Sequence, residues 1–169
     1  MDATVLIAEL ANGGQIVGAL VAGISQEQAQ VRPEAEAWSV LEVVCHLYDE
    51  EREDFRQRLD YTLHKPGETW PPIDPGGWVS SRSYNERSLD EALAGFLAER
   101  QHSVSWLSSL PAPDWEASHR TSFGLMKAGD ILAAWVAHDN LHTRQLVELR
   151  RSRLLQLTQP YDVRYAGEW

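Results

Sequence analysis

Between residues 62 and 87 the chain carries Pro66, Gly67, Pro71, Pro72, Pro75, Gly76 and Gly77, a density of breakers that excludes a helix there. Helices with legible starts stand on both sides. Upstream, Ser39-Val-Leu-Glu42 has the form of a capping box, in which the serine hydroxyl and the glutamate satisfy each other's free backbone N–H groups, and helical periodicity continues to about Tyr61. Downstream, Ser88-Leu-Asp-Glu91 repeats the device, and that helix runs to about Ser109, ahead of Pro111 and Pro113. Connections between bundle neighbours usually take about 2 to 8 residues. A helix of about 20 residues is about 30 Å long, and an extended segment of 26 residues exceeds that. The connection is therefore long enough to cross the whole bundle, which argues against a simple up-down-up-down order.

Two further segments have helical spacing. Residues 3 to 22 place Val5, Leu6, Leu10, Ile16, Val17, Leu20 and Val21 on one side, interrupted by Gly13 and Gly14, which mark either a close helix contact or a local break. Residues 127 to 150 place Ile131, Ala134, Trp135, His138, His142, Gln145 and Leu149 on one face. Almost nothing reads as strand. The expectation is an all-α four-helix bundle, formed as a single domain over residues 1 to 169. The aromatic tail, with Tyr161, Tyr165 and Trp169, is expected to pack back onto it.

The 15 basic against 25 acidic residues leave a net charge of -10, which repels nucleic-acid backbones and anionic membrane surfaces. The N-terminus lacks the basic start and long apolar run of a signal peptide, and no uncharged apolar stretch elsewhere reaches a membrane span of about 18 residues. A cytoplasmic protein with neither nucleic-acid nor membrane partner is expected. The single cysteine, Cys45, excludes an internal disulfide and reads as a small buried thiol beside Val43 and Val44. Any bound metal must then rest on histidine.

His138 and His142 lie one above the other on an apolar helical face, a spacing that lets two imidazoles converge on one ion. Without a metal they need hydrogen-bonding partners, since an unpaired buried polar group costs about 1 to 3 kcal/mol. Asp49 or Glu50 of the second helix could serve, and would equally back the rings of a metal site. Of the other histidines, His64 and His119 fall in loops and His102 near the end of the third helix. Periodicity places His46 beside Glu42, Glu50 and Glu53, on the charged side of the second helix. The run from Asp49 to Asp54 reads as a solvated face. Trp70 and Trp78 either wall a substrate cleft or pin the long connection down, and Trp135 reads as core.

The ordered set Trp38-Ser39, Glu42, His46-Leu47, an acidic run, Phe123-Gly124-Leu-Met126 and His138-x-x-x-His142-x-x-Gln145-Leu146 resembles the DinB-like, or YfiT-like, family of metalloenzymes over nearly the full chain. The resemblance implies an up-down-down-up four-helix bundle with a long crossover between helices 2 and 3. It also implies one divalent metal ion (Zn, Ni, Fe, Mn or Co) held by His46, His138 and His142. Thiol-dependent transferase or isomerase chemistry with a low-molecular-weight thiol as cosubstrate is implied, or hydrolysis, in each case on a small-molecule substrate. A homodimer is expected. The alternative is a non-catalytic dimerising bundle, a stress-response or binding protein, in which the histidines are structural. On the enzymatic reading, the open side of the metal should face a cleft lined by the connection between helices 2 and 3.

Overall fold

The computed structural model describes residues 2–122 and 124–169. Helix α1, Ala3–Val21, opens on Asp2, whose carboxylate accepts from the N–H groups of Thr4 and Val5. A one-turn helix α2, Gln26–Ala29, leads to α3, Val40–Glu50, where Ser39 and Glu42 form the reciprocal box expected from sequence. A π-helical turn, Glu51–Phe55, joins α3 to α4, Arg56–His64, so the second long helix of the bundle carries one widened turn in its middle. After α5, Pro75–Ser81, comes α6, Leu89–Ser109, for which Ser88 caps the Glu91 N–H. The last long helix is α7, Ala128–Leu157.

The direction of each helix follows from what it touches. The Tyr48 ring lies against Gly95, Glu51 bonds Arg100, and Arg56 bonds Ser103, so contacts between α3–α4 and α6 advance together along both chains. These two helices are parallel. Gly13 meets Asp139 and the Leu20 carbonyl accepts from Arg150, which makes α1 and α7 parallel as well. His46 reaches His142 while Glu51 reaches Trp135, so α3 and α7 are antiparallel. The order is up-down-down-up.

Two apolar clusters fill the bundle. One gathers Val17, Val40, Val43, Val44, Trp78, Phe96 and Leu146, and the other Leu10, Leu59, Leu107, Ile131, Leu132 and Trp135. Fully burying each large side chain contributes about 1.5 to 3 kcal/mol. Along α7 the buried positions are Ala128, Ile131, Leu132, Trp135, Asp139, His142 and Leu146, a seam spaced by threes and fours that includes an aspartate and leaves Ala134 exposed. Apolar periodicity placed the seam slightly off because the acid did not register as buried.

Several expectations are corrected. The breaker-rich connection holds a helix after all, because Pro75 occupies the first turn, where its missing N–H costs nothing, and Asp74 caps the Gly77 N–H. Residues Ser118–Thr121 (β1) and Gly124–Lys127 (β2) form an antiparallel hairpin leading into α7. His119 therefore lies on a strand rather than in a loop, and His64 ends α4. Phe123 lies outside the described residues. Tyr161 and Tyr165 remain exposed, and only Trp169 reaches back, donating to Glu148 and lying over Arg151. Helix α1 is long and apolar enough to cross a membrane by length and composition. Here Leu10, Gly13, Gly14, Val17 and Val21 are buried in the bundle. The glycine pair marks a close contact within an unbroken helix.

Candidate metal centre

The second long helix is covered on three sides, which decides what its charged residues do. Successive positions point about 100° apart. Asp49 turns toward the long connection, where it accepts from Arg82 at 2.6 Å and from the Tyr84 hydroxyl at 2.8 Å. Glu50 turns toward α7, and Glu51 toward α6. Asp49, Glu50, Glu51 and Asp54 are all buried, so the acidic run is not a solvated face. Glu42 is buried too, paired with Arg32. The same enclosure puts His46 inside at 5 % exposure, against what periodicity indicated.

His46 meets His138 and His142 there. The Nε2 atoms of His46 and His138 are 3.3 Å apart, and those of His138 and His142 are 3.1 Å apart. One ligand atom from each of the three rings lies within 4.8 Å of the others. Tetrahedral bonds of about 2.05 Å to one ion would separate nitrogen ligands by roughly 3.3 Å. Burial, reinforced by the neighbouring imidazoles, pushes the His46 ring down to about 3 and the His138 ring to about 2. Burial lowers His142 as well. Three neutral rings meeting at one point satisfy each other poorly, because His138 Nε2 carries either a proton or a lone pair and faces both other Nε2 atoms as well as Glu50 Oε2. A shared cation resolves this. His142 donates its Nδ1–H to the Gln145 side-chain oxygen at 2.8 Å, which leaves its Nε2 lone pair facing the centre, the tautomer a metal ligand needs.

The surroundings differ from expectation in one respect. Asp49 backs none of the rings, and His46 Nδ1 is buried without a hydrogen-bond partner among the described residues. Glu50 instead stands on the Nε2 side, its Oε2 3.3 Å from His138 and 4.0 Å from His46. Burial, with repulsion from Asp54, raises its carboxyl to about 8. Trp38 packs over His46 with ring centroids 4.8 Å apart, and Phe55, delivered by the π turn, packs on His138 at 5.0 Å.

A groove of about 650 Å³ opens onto His142, lined by Pro33, Glu34, Glu36, Trp38, Gln145 and Arg151 among others. The segment before α3 forms this wall, not the connection between helices 2 and 3. Trp78 is buried in the core, and Trp70 stacks on His119 and under Arg58. Both pin the structure and neither lines the groove. Cys45 is fully buried, and Trp135 is core, as read from sequence. His102 and His64 stay apart from the site, His102 exposed and His64 paired with Asp60. Trp38 and Phe55 were missed as site residues, though Trp38 beside the Ser39 cap was visible in the ordered set; Glu50 was read as a carboxylate backing the rings and stands instead on their Nε2 side.

No curated protein matches the chain significantly. Among solved structures it resembles YfiT from Bacillus subtilis, described as a probable metal-dependent hydrolase with an unusual four-helix bundle topology. The TM-score is 0.78 at 18% identity, covering 88% of this chain and 86% of that one. Residues 10–146 match the family described as the DinB superfamily. With that match spanning most of its length and the helix order described above, this chain belongs to the DinB superfamily.

Proposed function

We propose that the chain is a metal-dependent enzyme acting on a small molecule, with His46, His138 and His142 as the ligands of one divalent ion. The convergence of three neutral imidazoles through Nε2, beside a buried carboxyl group, carries this reading. The description of YfiT as a probable metal-dependent hydrolase favours hydrolysis over thiol transfer. A divalent ion in this place supplies Lewis acidity toward an oxygen or sulfur of the substrate. The protein residues do the rest. Glu50 sets a buried carboxyl group, which burial makes easier to protonate, 3.3 Å from His138 on its ligand side, where it would take up or release a proton next to the ion. Trp38 and Phe55 exclude water from two sides of the rings. Gln145 fixes the His142 tautomer at the floor of the groove.

The test is elemental analysis of protein purified without a nickel column, followed by assays of hydrolysis and of transfer to small thiols with the metal restored. About one ion per chain, lost in His142→Ala together with the activity, is expected. Absence of stoichiometric metal in the wild type and after incubation with Zn, Ni, Mn, Fe or Co would reject the proposal. A structural staple is separated from a catalytic ion by melting with a chelator. The two apolar clusters should keep a cooperative transition, whereas a staple would lose it.

A further inference from the structure

Arg100 lies in the centre of the bundle on α6, which like α1 brings no histidine to the site, and is 3 % exposed. A guanidinium has five N–H bonds, and here all five are used. Nε and Nη2 donate to Glu51 at 2.9 and 2.8 Å, Nη2 to Asp139 Oδ1 at 2.8 Å, and Nη1 to Asp139 Oδ2 and, at 2.7 Å, to the Leu10 carbonyl. One side chain thus joins all four helices. Each of its acidic partners follows a site residue in the chain, Glu51 after Glu50 and Asp139 after His138. Glu51 also accepts from the Trp135 indole at 3.0 Å, one turn before His138.

We infer that Arg100 is a positioning residue for the histidine centre, fixing the axial register between the helix that carries His46 and the helix that carries His138 and His142. Apolar contacts tolerate sliding, whereas two bidentate pairs in a buried place do not. The tolerance of the site is small. A slip of one residue moves a helix by about 1.5 Å, enough to pull His46 Nε2 out of range of an ion shared with His138 at the present 3.3 Å. Gly13 and Gly14 serve the same arrangement. A Cβ at Gly13 would come closer than 3.0 Å to Asp139, and one at Gly14 would lie 3.1 Å from Arg100 Cγ.

The inference rests on the metal reading, and the experiment separates the two. Zn2+ affinity, the visible absorption spectrum of bound Co2+ and thermal melting are measured for the wild type, Arg100→Lys, the neutral triple variant Glu51→Gln with Arg100→Met and Asp139→Asn, and the control Arg56→Lys. The control alters a pair with Glu99 and Ser103 away from the histidines. Arg100→Lys and the triple variant should bind Zn2+ roughly ten- to a hundredfold more weakly, the scale for residues that orient metal ligands. Both should shift the Co2+ spectrum, even where the triple variant melts as high as the wild type. Arg56→Lys should change melting alone. Wild-type affinity and spectrum in the folded Arg100 variants would overturn the positioning role, as would an affinity loss that tracks melting across all variants including Arg56→Lys. If Arg100→Lys does not fold, the triple variant decides. A wild type that binds neither ion overturns the metal reading and the inference with it, a result distinct from a binding wild type with unaffected variants.

Discussion

Replacing glycine by alanine inside a helix ordinarily stabilises it by about 1 kcal/mol, yet at Gly13 the structure reverses the sign. A Cβ there would press on the Asp139 carboxylate, with Cγ at 3.2 Å and Arg100 Nη1 at 3.3 Å, and both neighbours are buried and fully engaged. Either α1 moves out, uncovering Leu10 and Val17, or Asp139 turns away and leaves Arg100 partly unpaired. Breaking a buried ion pair costs about 3 to 5 kcal/mol, so after the helix-propensity gain the net loss should be about 2 to 4 kcal/mol. For a chain of this length that lowers the melting temperature by roughly 5 to 15 °C. Gly18, in the same helix, is the internal control. A Cβ there meets only Leu97 methyl groups at 3.9 and 4.0 Å, an ordinary contact, so Gly18→Ala should gain up to about 1 kcal/mol. Urea and thermal melts of both variants give the answer. A Gly13→Ala protein as stable as the wild type, or stabilised like Gly18→Ala, would refute the account of why this helix contact is close.

Other outcomes follow from the same geometry. His142→Ala should abolish metal binding, measured by elemental analysis, while lowering stability by only about 1 to 3 kcal/mol, since the two apolar clusters that hold the bundle do not include it. Metal-free protein should lose stability as pH falls below about 6.5, because the unfolded histidines take up protons that folded His46 and His138, held to about 3 and 2, refuse. Glu50, raised to about 8, opposes this between its ordinary 4.5 and about 8, so the decline should steepen below about pH 4.5. Urea melts at pH 7, 5.5 and 4 test it, and equal stability at all three would contradict the buried neutral rings. The Cys45 thiol, pushed up to about 12 by burial, should resist a thiol-reactive reagent at pH 8 in the native protein and react at once when unfolded.

What could be read in the sequence is what local chemistry or simple spacing dictates. The four long helices, the caps at Ser39 and Ser88 and the pairing of His138 with His142 depend on neighbours within a turn or two. Membership of His46 in the site was legible only through the family resemblance, because periodicity puts it on the charged side of its own helix. Periodicity assumes one buried face per helix, and the second helix has three, closed by α6, α7 and the connection bearing Arg82 and Tyr84. Its acids are therefore core residues whose partners are remote. Glu51 waits for Arg100, 49 positions on, and Asp139 pairs with the same arginine from 39 positions away. The wall of the groove was decided in the same way, since Trp38 and the segment before it face His142 only once α3 and α7 pack antiparallel. Local pattern determines which segments coil. Which charged side chains end up inside depends on the number of neighbours that surround each helix, and only the assembled bundle settles that number.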